Sequence, residues 1–429
     1  MGKGQEALHR LTAAEARARL ARGEITARAL LEACLARIAE REQSVGAWSF
    51  LDADAARARA DVLDRAGVQG PLHGIPIGVK DIIDTARMPT ALGSPAFEGR
   101  QPSADASCVA LLEQAGAIVL GKNVTTELAY FTPGKTRNPR DPARTPGGSS
   151  SGSAAAVADS MVPLSIGTQA AGSTIRPASF CGVPAFKPTH GRWDMSGTLR
   201  LYPTVDTLSV FARDFADAAV VDAVLGGGDA FAPRQPSRVL VFEPAEWDLA
   251  GPATREVLQR TAAALAARGV PVDHARAEGP LAQLVEASDV IIHVEAAQNA
   301  PSLLAGARMP LSARFLELLE AGARIPESRY RDALAIRAAA RAAWAGIVRP
   351  DTLVLTPAVP AEAPIGLGAT GDPVFIRGWN VIGAPAANLP LGTGPSGMPV
   401  GVQAVGVPGE DTALLCLVAW TMAELSPGA

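Results

Sequence analysis

Residues 167–182 read GTQAAGSTIRPASFCG, and this stretch of the sequence is the most informative about the fold and function of the chain. A run of small residues, Ala170, Ala171, Gly172 and Ser173, precedes a single Arg176. Small side chains leave backbone N–H groups accessible, so several can converge on one ligand atom. The run therefore predicts either a tight packing turn or a site where backbone donors stabilise an oxyanion beside a serine nucleophile.

The composition indicates a globular protein that acts on small molecules. Of 429 residues, 48% are hydrophobic and 19% charged, which is enough apolar surface to bury a large core. The formal net charge of −4, with no basic run, argues against nucleic-acid and membrane-surface partners. Four scattered cysteines without CxxC spacing favour free thiols. With no secretory leader and no apolar run of bilayer length, we expect a cytoplasmic protein.

Alternating strand and helix patterns predict an α/β fold. Apolar strands such as IPIGV, AIVLG and RVLVFE are separated by helical stretches such as TREVLQRTAAALAARG. Before them, a T-x-x-E capping box at Thr12 and a cap at Thr26 predict two helices. We predict an N-terminal helical layer over 1–66, part of the same globular unit, and one catalytic domain over 67–429. The latter includes a helix-rich segment at about 250–348, although the length would also permit two domains.

A lysine ends the otherwise apolar strand in PLHGIPIGVKDIID, residues 71–84. Burial of Lys80 would disfavour its charged form and would make it a candidate base. The alternative is a lysine that reaches the surface or pairs with Asp81 or Asp84.

A glycine- and serine-rich loop, TPGGSSSGSAAAVADS at 145–160, leads into an alanine-rich helix. Ser149 to Ser151 lie where helix N–H groups favour an anion, or they simply cap the helix. GSSSG also satisfies G-x-S-x-G, which would make Ser150 an α/β-hydrolase nucleophile. The preceding PRDPARTPG is a proline-rich loop and not the strand that such a motif requires.

Taken together, the three segments resemble the amidase signature family, whose motifs occur here in the family's order. Lys80 lies in GVKD, Ser149 opens the serine run of GGSSSGSAAAV, and Ser173 lies in the block that ends in FKPTHG. Ser149 follows Lys80 by 69 residues and precedes Ser173 by 24, the family's usual gap. The resemblance extends from about residue 70 to the C-terminus.

The resemblance implies a large mixed β-sheet flanked by helices on both faces, and a Ser–cisSer–Lys triad. Ser173 would be the nucleophile, Ser149 a bridging serine after a cis peptide bond, and Lys80 the base. Backbone N–H groups of 170–173 would form the oxyanion hole. Such an enzyme hydrolyses amides through an acyl-enzyme and requires no metal or cofactor. The family often forms dimers, so a homodimer is the implied oligomer.

Two departures from the family pattern concern the substrate site. Many members of the family carry an acidic residue where this chain has Gln169, and a glycine where it has Ala171. Alanine keeps its N–H group, so the oxyanion hole forms provided that residue 171 adopts the backbone angles that glycine tolerates more easily. The arginine lies one position later in this chain than is usual in the family. In an extended segment, a shift of one residue moves a side chain to the opposite face, so Arg176 would point into the pocket. We predict Arg176 and Gln169 as substrate-binding residues.

The shifted arginine resembles small-acid amidases such as malonamidase and carboxybiuret hydrolase, where it grips a substrate carboxylate. Arg176 would then bind an anionic end of the substrate through a bidentate pair. The alternative is a structural arginine that pairs with a carboxylate or caps carbonyl groups.

Weaker candidates lie elsewhere. Glu127 is predicted to bind substrate and Asn138 to line the pocket, although either side chain would equally satisfy backbone groups. Asn380 and Trp379 are candidates for the pocket wall, and for Trp379 the core is the stronger interpretation. Cys181 is expected to be a small buried hydrophobe.

Three functions remain open at this point. The leading one is hydrolysis of a small, carboxylate-bearing amide with release of ammonia or an amine. The second is the amidase-like component of a tRNA-dependent amidotransferase, which needs partner subunits; RWDMSGTLRLYPTVD, after KPTHG, lacks the YGRVSRYG-like passage of those proteins. The third is a non-catalytic binding module, against which all three triad positions argue.

Overall fold

The computed structural model describes residues 7–228 and 230–425. The eleven strands of the described residues are Trp48–Leu51 (β1), Pro76–Lys80 (β2), Ile118–Asn123 (β3), Leu164–Gln169 (β4), Ala185–Lys187 (β5), Thr207–Ala212 (β6), Arg238–Glu243 (β7), Val272–Arg276 (β8), Thr352–Pro357 (β9), Ala386–Thr393 (β10) and Pro399–Val405 (β11). The α-helices are Ala13–Ala21 (α1), Ala27–Val45 (α2), Ala53–Ala66 (α3), Ser107–Gln114 (α4), Ser151–Ala158 (α5), Ile175–Cys181 (α6), Phe215–Gly226 (α7), Pro252–Ala266 (α8), Leu284–Leu304 (α9), Ala313–Arg324 (α10), Glu327–Ile347 (α11), Val374–Val381 (α12) and Asp411–Leu425 (α13).

All of these strands form one mixed sheet, in the order β1-β3-β2-β4-β6-β5-β10-β11-β9-β7-β8. Strand β2 runs parallel to β3 and β4, and β7 runs parallel to β8 and β9, whereas the other pairs are antiparallel. The helices flank this sheet, and its central strands are buried along their whole length. The predicted α/β fold with a large mixed sheet is confirmed.

The central parallel strands bring distant parts of the chain to one edge. Strand β2 ends at Lys80 and β4 ends at Gln169, and Val79 pairs in register with Ile166. Because the carboxyl ends of parallel strands meet at the same edge, the segments that follow β2 and β4 lie side by side. The serine-rich loop before α5 and the small-residue turn before α6 complete this edge.

The N-terminal segment joins the sheet. Thr12 forms the predicted capping box with Glu15, and Thr26 caps α2. Residues 48–51 are not helical, however, because they form β1 and pair with β3. The division into an N-terminal layer over 1–66 and a catalytic domain over 67–429 stays a prediction. The two outer ends of these regions, residues 1–6 and 426–429, lie outside the described residues.

The helix-rich segment also differs in one place from its prediction. It holds α8 to α11 but includes the strand β8, which pairs with β7 at the end of the sheet. In the part of the chain that the structure describes, no helix combines the length and the apolar character that crossing a bilayer requires.

Close packing at Gly152 generates a stability prediction. A Cβ on Gly152, in α5, would come within 2.3 Å of the Ala47 carbonyl oxygen and 2.5 Å of the Val124 nitrogen. Both contacts are with backbone atoms of neighbouring segments, so Gly152→Ala is expected to lower the free energy of unfolding by about 1–3 kcal/mol. Urea-induced unfolding measures the change.

Gly346→Ala is the matched control for this substitution. Gly346 is also helical, in α11, and a Cβ there would meet no atom within 4 Å. This change should raise the free energy of unfolding by roughly 0.5–1 kcal/mol, because alanine loses less backbone entropy than glycine. Equal effects of the two substitutions would contradict the packing argument.

Candidate active site

Lys80 is a fully buried ionisable group at this edge of the sheet. Its Nζ donates hydrogen bonds to Ser149 Oγ at 2.7 Å and to Thr168 Oγ1 at 2.8 Å. Burial penalises the ammonium and lowers the pKa of Lys80 to about 7, against a partial opposing effect of the negative charge of Asp206. A substantial fraction of Lys80 is therefore neutral near pH 7 and can accept a proton.

The serine-rich loop presents Ser149 to this lysine. The peptide bond between Gly148 and Ser149 is cis, as the family resemblance implies. The next residue ties the loop to the small-residue turn, since the Ser150 N–H donates to the Ser173 carbonyl at 3.3 Å. Ser149 and Ser173 line the same cavity.

Ser150 has a different role from the one that G-x-S-x-G would give it. Its hydroxyl is fully buried, donates to the Thr168 carbonyl at 3.1 Å and accepts from the Thr168 N–H at 3.3 Å. Ser150 therefore fastens α5 to β4 and does not line the cavity.

Gln169 and Asn380 hold the turn that carries Ser173. Gln169 Oε1 accepts from the N–H groups of Thr174 at 2.9 Å and Ile175 at 3.0 Å, and its Nε2 donates to Asn380 Oδ1 at 3.0 Å. Asn380 Nδ2 in turn donates to the Ala170 carbonyl. Gln169 is thus buried in the framework and does not line the cavity, contrary to its predicted substrate-binding position.

The small-residue turn keeps its backbone donors available. Within the described residues, no protein acceptor takes the N–H groups of Ala171, Gly172 and Ser173. Ala171 is outside the left-handed region of backbone angles, so an alanine fits where many family members have glycine. Gly172 is required for space, because a Cβ there would lie 2.5 Å from Pro373 Cβ.

One cavity of about 260 Å³ opens at this edge of the sheet. It is lined by Ala129, Tyr130, Phe131, Ser149, Ala170, Ala171, Ser173, Arg176, Tyr202, Asp289, Ile292, His293 and Arg377. Several of these residues were not predicted, among them Arg377, Asp289 and the buried Tyr202, whose hydroxyl has no partner among the described residues. The sequence gives one indication of these residues, which is that Arg377 lies two residues before Trp379, a candidate for the pocket wall.

Arg176 lines the cavity, but from a helix. Residues 175–181 form α6, so the extended segment predicted around Arg176 is wrong. Its Nη2 donates to the Gly148 carbonyl at 2.7 Å and to Thr370 Oγ1 at 3.1 Å, and its Nη1 donates to the Gly371 carbonyl at 2.9 Å. Burial, assisted by the positive charge of Arg377, lowers the pKa of Arg176 to about 9.

Glu127 supports the cavity rim and does not line it, contrary to its predicted role. Its Oε1 accepts from Ser94 Oγ at 2.8 Å and its Oε2 from the Ser312 N–H at 3.1 Å. The next two residues, Leu128 and Ala129, have positive φ angles of 49° and 58°, and this turn leads to Tyr130 and Phe131 in the cavity wall.

The remaining candidates are structural. Asn138 Nδ2 donates to the carbonyls of Thr145 at 3.2 Å and Phe180 at 2.9 Å, which satisfies backbone groups. Trp379 is buried with its ring 4.7 Å from that of Trp344. Burial raises the pKa of the Cys181 thiol to about 12. Among the described residues, no three metal-ligating side chains form a cluster.

Comparison with known proteins identifies the family to which this fold belongs. The model of the Amidase family matches residues 29–415. The chain therefore belongs to the Amidase family.

Curated relatives carry a more specific name. The chain is 42% identical over 235 residues to a glutamyl-tRNA(Gln) amidotransferase subunit of Roseiflexus sp. (strain RS-1), covering 52% of this chain and 48% of the relative. It is 43% identical over 233 residues to the protein of that name from Nitratidesulfovibrio vulgaris (strain DP4), covering 52% and 47%. The chain thus spans about half the length of the curated relatives it matches.

Solved structures resemble the chain over nearly its whole length. A structure described as an amidase is 32% identical with a TM-score of 0.88, covering 97% of this chain and 100% of that one. A chain described in connection with the evolutionary origins of an s-triazine catabolic enzyme is 28% identical, with a TM-score of 0.87 and coverage of 97% and 99%. The peptide amidase from Stenotrophomonas maltophilia is 26% identical, with a TM-score of 0.82 and coverage of 97% for both chains.

The burial of Lys80 predicts a pH-dependent stability. The pKa of Lys80 is about 7 in the folded protein and near 10.5 in an ordinary environment, so between these values the unfolded chain binds more protons and stability rises with pH. Lys80→Met removes this dependence. The stability of the variant relative to the wild type should fall by up to about 1.4 kcal/mol per pH unit above pH 7.

Urea unfolding of both proteins at several pH values from 7 to 9 measures this difference. Lys135→Met is the control, because Lys135 has a side chain that is 61% exposed and pays no comparable desolvation cost. A difference between Lys80→Met and the wild type that stays constant over this range would show that Lys80 keeps its proton when buried.

Proposed function

We propose that this protein hydrolyses a small, carboxylate-bearing amide through a Ser173 acyl-enzyme, with Ser149 and Lys80 as the proton relay. The observation that carries the proposal is the 2.7 Å hydrogen bond between Lys80 Nζ and Ser149 Oγ, beside a cavity that Ser173 also lines. The depressed pKa of Lys80 supports its role as the base.

The reaction would proceed in two halves. Ser173 Oγ attacks the amide carbonyl carbon while its proton passes to Ser149, whose own proton passes to neutral Lys80. The N–H groups of 170–173 stabilise the oxyanion. Return of the proton to the leaving nitrogen breaks the carbon–nitrogen bond and releases ammonia or an amine, and water then hydrolyses the acyl-enzyme by the same relay.

Two properties of the cavity favour a small anion as substrate. Its volume of about 260 Å³ is small for a polymeric substrate. The hydrogen-bond partners of Arg176 are two carbonyls and one hydroxyl, all neutral, so its charge is not neutralised by a direct ion pair among the described residues. A substrate carboxylate would supply that neutralisation.

A role within a tRNA-dependent amidotransferase is the second candidate, because the curated relatives are named as subunits of that enzyme. Under that function the chain would act only in complex with partner proteins. Hydrolysis by the purified chain alone distinguishes the two functions. The homodimer and the cytoplasmic location stay predictions from the sequence, and the non-catalytic alternative predicts no turnover at all.

Ammonia release from a panel of small amides tests the activity. We expect the purified chain to release ammonia, and Ser173→Ala to lower the rate by about 10³-fold or more, because the nucleophile is lost. Ser150→Ala is the comparison variant, since Ser150 is the nucleophile of the alternative motif, and it should retain activity within about tenfold of the wild type.

Equal losses in the two serine variants would contradict the assignment of Ser173. Turnover that appears only after partner proteins are added would favour the amidotransferase function.

Arg176→Ala tests the substrate class. Malonamate and its neutral isostere malonamide form a matched pair, and the wild type should prefer the anion. Because Arg176 also binds the Gly148 carbonyl, beside Ser149, the variant should be slower on both substrates. The informative quantity is the ratio of kcat/KM for anion to neutral amide, which should fall roughly 10- to 100-fold. An unchanged ratio would leave Arg176 with a structural role alone.

A further inference from the structure

We propose that Arg377 is a second specificity-determining residue, which together with Arg176 forms a seat for the carboxylate of the substrate. This inference rests on the proposed function, because it concerns how the same cavity selects a short monoanionic amide. Arg377 comes from α12, lines the cavity and is not among the site residues predicted from the sequence.

The first observation is a pair of unused donors. The Nε of Arg377 and the Nε of Arg176 are both buried, and neither has a hydrogen-bond partner among the described residues. Both guanidinium groups belong to residues that line the cavity. Buried polar groups are normally satisfied, and a carboxylate bound in the cavity is the acceptor that two guanidinium groups with unused donors would favour.

The second observation is the balance of charge. Asp289 is the one carboxylate in the described lining of the cavity, and its Oδ1 accepts from Arg377 Nη1. Asp289 therefore offsets Arg377, whereas Arg176 has only neutral hydrogen-bond partners. The two guanidinium groups also influence each other, since the charge of Arg377 lowers the pKa of Arg176. One excess positive charge matches a substrate that carries one negative charge.

The third observation is that Arg377 is held in position relative to the reacting groups. The segment before α12 carries the Gly371 carbonyl that binds Arg176, and Pro373 packs against Gly172 in the oxyanion turn. At the other end of α12, Asn380 binds the Ala170 carbonyl. The helix that bears Arg377 is thus fixed at both ends to the nucleophile turn, so the carboxylate seat lies at a set distance from Ser173.

Opposite changes at Arg377 and Asp289 test this seat. The measured quantity is the ratio of kcat/KM for malonamate to that for malonamide. Arg377→Met should lower the ratio about 10- to 100-fold, because a charge-assisted hydrogen bond to the anion is lost. Asp289→Asn should raise the ratio roughly 2- to 5-fold, because it removes the competing carboxylate from a partly exposed ion pair.

Arg314→Met is the matched control. Arg314 stacks on the Phe131 ring at 5.4 Å, as Arg176 does at 5.6 Å, but Arg314 is not among the described residues that line the cavity. Its removal deletes one positive charge near the site and should change the ratio less than twofold, because charges outside the cavity are screened. Arg377→Lys, which keeps the charge without the forked donors, should lie between the wild type and Arg377→Met.

The outcomes separate the two proposals. A wild type that prefers malonamate, with Arg377→Met at the same ratio, overturns the role of Arg377 and leaves the proposed function standing. A wild type that hydrolyses both amides without preference overturns the anionic substrate and the seat together. A comparable loss of preference in Arg314→Met would assign the effect to general charge and would also overturn the seat. Circular dichroism of each variant establishes that it is folded.

Discussion

The hydrogen bonds of buried Lys80 with Ser149 and Thr168 are the constraint around which the active-site edge is arranged. An amine placed at the end of a fully buried strand loses its hydration, and two hydroxyl groups compensate, with no carboxylate in contact among the described residues. A carboxylate in contact would have kept the amine protonated. Burial of Lys80 lowers the stability of the folded protein, but it leaves an amine that can exchange a proton near neutral pH.

Other contacts hold the segments that carry Ser149 and Ser173 at the edge of the sheet where Lys80 lies. Parallel pairing of β2 with β4 places the ends of both strands at one edge. Gln169 and Asn380 bind the turn after β4, and the Ser150 hydroxyl fastens the loop that carries Ser149. Neutral amides and hydroxyls provide these contacts, which fix the two segments relative to each other.

Features that depend on local pattern were predictable from the sequence, whereas the positions of several side chains were not. The three motif segments, the capping box at Thr12 and the strands β2, β3 and β7 were predictable, because each depends on local pattern or spacing. The extended conformation assigned to Arg176 was wrong, since α6 begins one residue before it. Gln169 and Glu127, which the sequence analysis assigns to substrate binding, both satisfy backbone groups of neighbouring turns.

The sequence by itself determined the family and the α/β class, because contiguous motifs and local hydrophobic patterns encode them. Only the tertiary structure decided which side chains surround the cavity. Tyr202, Asp289 and Arg377 reach the cavity from segments far apart along the chain. No periodicity or spacing links such segments, since their meeting depends on how α9 and α12 pack across the sheet edge, and that packing is a property of the whole core.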